Sequence, residues 1–145
     1  MGIRYAADVN LDVSQVAALY ERATLRRPTR DTVRMGRMLE HANLVVGAWD
    51  GERLIGVARA LTDFGWVCYL ADLAVDPDYQ RRGVGRELIR RVREYVGPEI
   101  SIVLRAAPLA ADYYHRIGFT HLDNAWILPG ETRTHDEPAT APDAA

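Results

Sequence analysis

The feature that most restricts how this chain can fold is the run Leu73-Ala74-Val75-Asp76-Pro77-Asp78-Tyr79-Gln80-Arg81-Arg82-Gly83-Val84-Gly85. An apolar stretch ends at a proline, which has no N–H to give to a sheet ladder. A short polar loop follows, and order resumes through two glycines. Beyond them Val84, Leu88, Val92 and Val96 recur at helical spacing, with Arg86, Arg90 and Arg93 on the other side. The run therefore reads as strand, turn, helix. A helix start leaves about four backbone N–H groups without internal partners and carries partial positive charge. Gly83 and Gly85 place no side chain in front of those donors, and Arg81, Arg82 and Arg86 add charge nearby. Such a turn suits a diphosphate. A dinucleotide fingerprint fits worse, because Leu88 stands where a third glycine belongs and no βαβ unit opens here. A P-loop is excluded, since no Gly-Lys-Ser/Thr follows.

The flanking pattern sets the fold class. Ile3–Tyr5 can open a strand, and Asp12 or Ser14 can cap a helix with Val16, Leu19 and Ala23 on one face. After Pro28, Asp31 or Thr32 can start a second helix through Val33, Met35, Met38 and Leu39. Leu44–Trp49 and Leu54–Ala60 flank Asp50-Gly51, a strong hairpin signal. The apolar stretch from Trp66 to Val75 is the next strand. Gly97-Pro98 stops the glycine-led helix, Ile100–Leu104 reads as a buried strand, and Pro108 suits the first turn of a short helix ending near Gly118. Phe119 to Leu128 can supply one or two final strands, whose exposed edge would offer a route to a homodimer. The expectation is a mixed α/β domain over residues 1–129, with a polar, proline-dotted tail over 130–145 that folding does not need.

Composition narrows function by exclusion. The chain has 145 residues, and a formal net charge of −2 gives no support for nucleic-acid binding. No apolar run approaches the roughly 20 residues of a membrane helix. The first residues lack a secretory layout, so a cytoplasmic location is the expectation. Cys68 is the sole cysteine and lies in an apolar run, where it reads as a small buried hydrophobe. No cluster has metal-ligand spacing, and His41, His115, His121 and His135 read as structural or surface residues. All 18 Lys+Arg residues are arginine.

Gln80-x-x-Gly83-x-Gly85, following Leu73-x-Val75-x-Pro77, resembles the coenzyme A signature Q/R-x-x-G-x-G/A of the GNAT superfamily of N-acetyltransferases. Ala110 to Phe119, with Tyr113-Tyr114 and Gly118-Phe119, is similar to the A-x-x-F-Y-x-x-x-G-F segment of the same superfamily. The close resemblance covers Leu73 to Phe119. At the place where many members have an asparagine that helps hold the pantetheine arm, this chain has Ala107.

The resemblance implies a central, mostly antiparallel mixed sheet flanked by helices. It also implies transfer of acetyl from acetyl-CoA to a primary amine by direct attack in a ternary complex. The cofactor would bind at the turn that begins at Gln80, its diphosphate meeting backbone N–H groups of Arg81, Arg82, Gly83, Val84, Gly85 and Arg86. The pantetheine amides would pair with Leu73, Ala74 and Val75, and the N–H of Val75 is the candidate oxyanion donor. Tyr114 is the candidate proton donor to the thiolate, with Tyr113 read as core. Asp72, a carboxylate in an otherwise apolar strand, must face a cleft, water or a partner. It can be a base, an anchor for a cationic amine, or a structural acceptor. The acceptor, a small-molecule or peptide amine, would lie near residues 20–37 and 64–66. A coenzyme A-binding module without turnover is the alternative.

Overall fold

The computed structural model describes residues 2–7, 10–107 and 110–131. Pro108 and residues 132–145, most of the expected tail, lie outside the described residues. Five strands form one sheet in the order β1-β2-β3-β4-β5. They are β1 (Arg4–Ala7), β2 (Leu44–Asp50), β3 (Arg53–Thr62), β4 (Val67–Val75) and β5 (Ser101–Leu104). The first three pairings are antiparallel and β4 with β5 is parallel. Helices α1 (Val13–Arg22) and α2 (Thr32–Glu40) precede β2, α3 (Val84–Val96) connects β4 to β5, and α4 (Ala111–Arg116) follows. The mixed, mostly antiparallel sheet flanked by helices is the expected architecture.

Local chemistry accounts for the boundaries. Asp12 caps α1 by accepting from the Ser14 N–H, and Asp31 caps α2 by accepting from Arg34. Gly51 turns the β2–β3 hairpin at φ 61°. Arg93 closes the far end of α3 by donating to the carbonyls of Gly97 and Ile100. Two cores result. One face of the sheet packs on Val84, Leu88, Ile89, Val92 and Val96 of α3, and Cys68 is buried among these residues. The other packs on Val16, Leu19 and Tyr20 of α1 and Met35 of α2. Val33, expected on the apolar side of α2, is instead 72% exposed.

Gly56 fixes how closely α3 lies on β3. A Cβ there would stand 3.1 Å from Leu88 Cδ1, 3.2 Å from Val84 Cγ1 and 3.3 Å from Ala48 Cβ. Gly56→Val is expected to lower stability by about 1–3 kcal/mol through overpacking. Thermal melting checks this, and an unchanged midpoint would mean that α3 does not press on this strand.

The expected final strands do not form. Among the described residues, 119–131 contain no strand, and Trp126 and Leu128 are each 96% exposed. A strand needs a ladder partner, and apolar content alone does not supply one. Asp123-Asn124, a turn-forming pair, also interrupts any alternation in this segment.

Candidate active site

The site begins with an irregularity in β4. Arg59 pairs with Asp72 and Ala60 with Leu70, so Ala71 has no counterpart and forms a bulge. The bulge changes which residues face which helix. Cys68 and Leu70 face α3 before it, and Leu73 and Val75 do so after it. The pairing of β4 with β5 ends at Leu70–Leu104, while β4 runs on to Val75. Beyond the bulge, no strand among the described residues pairs with the edge of β4 that had faced β5. An extended amide-bearing group can lie there as an added strand would.

The open edge leads into the glycine turn. Pro77–Tyr79 forms one 3-10 turn, Arg81 and Gly83 take positive φ of 64° and 81°, and α3 begins at Val84. Unlike α1 and α2, α3 has no side chain capping its first N–H groups. Gln80, Arg81, Arg82, Gly83 and Arg86 are exposed around this helix start, while the side chain of Val84 is buried in the core. Arg82 lies over the ring of Tyr79 at 5.2 Å. The Gln80 Nε2 donates to the Val75 carbonyl at 3.1 Å, tying the loop to the strand end. A diphosphate fits this arrangement, because the donors are backbone groups at a positive helix end.

Asp76 anchors the loop from below, and sequence reading had given it no role beyond ending the strand. It is 1% exposed and accepts from Arg22 at 2.8 Å, Arg53 at 2.9 Å and the Asp78 N–H at 2.9 Å. Burial alone would raise its pKa, but these donors outweigh burial and hold it below the usual carboxylate range.

Of the two tyrosines of α4, Tyr113 reaches this region. A Cβ on Gly85 would meet the Tyr113 hydroxyl at 3.2 Å, Val75 Cγ2 at 3.7 Å and Leu73 Cδ2 at 3.9 Å. The hydroxyl nearest the glycine turn is thus that of Tyr113, which corrects its reading as a core residue. Tyr114 packs edge-on against Tyr113 and Phe119, with ring centroids at 5.2 and 5.5 Å. Burial, helped by the neighbouring Tyr113, pushes the Tyr114 phenol up to about 12. It keeps its proton at neutral pH.

Asp72 occupies the other side of β4, against α1. It is 1% exposed and accepts from the Tyr20 hydroxyl at 2.8 Å, Arg27 Nε at 2.7 Å and Arg59 Nε at 2.6 Å. Arg27 also donates to the carbonyl of the bulged Ala71 at 2.9 Å, so the cluster sits where β4 and β5 part. Burial pushes the Asp72 carboxyl up, but Arg59 and Arg27 reverse this and leave it lowered. Burial and the facing carboxylate together raise the Tyr20 phenol. Tyr20 and Arg27 lie in the region expected to shape the acceptor site, but sequence reasoning did not join them to Asp72, and it missed Arg59. The one available signal was Arg59, a charge that alternation places on the face of Val57.

Comparison with known proteins agrees with this architecture. The profile of the family described as "Acetyltransferase (GNAT) domain" matches residues 14–127. An Arabidopsis thaliana protein named GCN5-related N-acetyltransferase 2, chloroplastic, is 38% identical over 77 residues, covering 48% of this chain and 30% of that protein. A rice (Oryza sativa subsp. japonica) protein named serotonin N-acetyltransferase 2, chloroplastic, is 29% identical over 119 residues, covering 78% of this chain and 58% of its own length. The chain thus spans about half or less of the length of several curated relatives. Among solved structures, a GNAT family acetyltransferase from Streptococcus pneumoniae superimposes with a TM-score of 0.71 at 20% identity, covering 92% of this chain and 100% of that one. An aminoglycoside N-acetyltransferase in complex with CoA gives 0.70 at 16% identity, covering 90% and 96%. The sheet, the glycine turn at the start of α3 and the family match over most of the sequence lead to one conclusion: this chain belongs to the GNAT family of acetyltransferases.

Proposed function

We propose that the chain transfers the acetyl group of acetyl-CoA to a primary amine by direct attack in a ternary complex. The observation that carries this reading is the continuity of two features. The unpaired edge of β4 beyond Leu70 runs directly into the uncapped N-terminus of α3. One is a slot for the amides of a pantetheine arm, the other a cradle for its diphosphate. When bound, acetyl-CoA supplies the thioester that an amine can open. The N–H groups from Gly83 to Arg86 would hold the diphosphate. An arm running back along Val75, Ala74 and Leu73 would carry the acetyl group toward the bulge. That leaves Val75 beside the arm and not, as expected, at the acetyl oxygen. Tyr114 is the candidate proton donor to the departing sulfur.

Asp72 is better read as a positioning residue than as a base. Its oxygens are engaged by Tyr20, Arg27 and Arg59, and a carboxylate so held has little affinity for a proton. Two guanidiniums against one carboxylate also leave local positive charge, which opposes anchoring of an ammonium. The same charge favours the neutral form of a nearby amine, the form able to attack.

Gly85→Val tests the placement. The added side chain would press on the Tyr113 hydroxyl and on Val75, between strand end and helix start. The folded variant is expected to bind acetyl-CoA at least about tenfold more weakly by calorimetry, the loss of roughly one charge-assisted hydrogen bond. Unchanged affinity would remove the cofactor from this turn.

A further inference from the structure

The acceptor side of the parted strands has an imbalance of charge that the transfer reaction by itself does not require. Among the described residues, Arg27 and Arg59 share the carboxylate of Asp72, so this three-residue cluster carries one net positive charge. Arg27 is held at three points, by Asp72 and the carbonyls of Ala71 and Arg26, yet its side chain is still 24% exposed. Each terminal guanidinium nitrogen carries a second N–H, so a fixed guanidinium can still offer donors outward.

Beside this centre lies an apolar shelf. Val57, Arg59 and Leu61 alternate onto the α1/α2 face of β3, and Val67 and Tyr69 reach the same face of β4 before the bulge. Leu61 and Tyr69 are cross-strand partners, and Leu61, Val67 and Tyr69 are 40, 36 and 37% exposed. A cationic end next to an uncovered apolar floor, at the point where the thioester would lie, is complementary to a molecule with an anionic group and an apolar body.

Resting on the acetyltransferase reading, we infer that the acceptor is a free α-amino acid with an apolar or aromatic side chain. Arg27, fixed through Asp72 beside the buried Arg59, takes its carboxylate and the Leu61–Tyr69 shelf takes its side chain. Guanidinium groups fixed by other contacts are well suited to a carboxylate, because planar paired donors match its two oxygens. The amine, one carbon from that carboxylate, is thereby held beside the bulge. Polycationic acceptors are disfavoured by the same charge.

The test is an acceptor panel followed by release of free coenzyme A thiol, with acetyl-CoA binding measured separately by calorimetry. L-Phenylalanine is compared with 2-phenylethylamine, L-phenylalaninamide, spermidine and tobramycin. The expected result is a kcat/KM for L-phenylalanine at least about 100-fold above that for 2-phenylethylamine, with the amide near the latter. In a direct measurement with coenzyme A present, N-acetyl-L-phenylalanine should bind and N-acetyl-2-phenylethylamine should not. Arg27→Gln should raise the KM for L-phenylalanine and reduce its advantage over 2-phenylethylamine, with Arg27→Lys restoring part of it. Should Arg27→Gln fail to fold, the panel on the unaltered protein decides alone. Equal or better turnover of the amines lacking a carboxylate overturns the inference and leaves the acetyltransferase reading standing. So does a protein that binds acetyl-CoA and acetylates no amino acid. Failure to bind acetyl-CoA sinks both.

Discussion

Asp72→Asn is expected to lower stability by about 3–5 kcal/mol, and so the melting midpoint by roughly 10 °C or more, before any effect on turnover is considered. The substitution keeps the shape of the side chain and removes its charge. Arg27 and Arg59 then face a neutral amide, with Arg59 only 11% exposed and unable to recover its hydration. Breaking a buried pair costs more than its net contribution, because the surviving charge is left uncompensated. The pH dependence has a definite sign. The folded-state pKa of Asp72 is lowered, so its contribution is present above the unfolded value near 4 and is lost as pH falls through the folded value. Melting midpoints of wild type and variant should therefore differ most at neutral pH and converge below about pH 4. A variant that melts like the wild type but has lost turnover, most severely at low pH, would return Asp72 to the role of base.

The second large effect concerns the two tyrosines. Tyr114→Phe is expected to lower turnover by roughly 100- to 10,000-fold, the usual contribution of a general acid, with acetyl-CoA affinity preserved. Tyr113→Phe removes the hydroxyl beside Gly85 and should act first on acetyl-CoA affinity. Both changes keep the ring and so conserve packing. Full activity in Tyr114→Phe across a pH–rate series, with loss of turnover in Tyr113→Phe, would transfer the donor role to Tyr113. Adjacent residues of a helix differ by about 100° in direction, so the two substitutions probe different places although they are neighbours in sequence.

How far the sequence could be read depended on whether a feature was local. Strand, turn and helix from Leu73 to Val96 were legible, because a proline stop, glycines and a 3.6-residue apolar period act within a short stretch. The hairpin at Gly51 was legible for the same reason. That Asp72 needed partners also followed from burial in an apolar strand. Which partners it has did not follow, since Tyr20, Arg27 and Arg59 come from a helix, a loop and a neighbouring strand. The Ala71 bulge exists only in relation to the register of β3, and a run that is apolar apart from Asp72 does not mark where that register shifts. Phe119 to Leu128 misled because apolar residues were taken as strand formers where no ladder was available.

The bulge has one further meaning for how sequences of this kind should be compared. A strand normally has a parity, with even positions on one side and odd on the other. In β4 the parity inverts at Ala71, so Leu70 and Leu73 belong to one layer of the molecule while Tyr69 and Asp72 belong to the other. Three residues, not two or four, separate equivalents across the inversion. An alignment that closes this offset with a gap, or a library that varies alternate positions through it, would mix the α3 core with the acceptor face. The strand is better treated as two short ones, each with its own phase, joined at a point where a backbone carbonyl is held by Arg27.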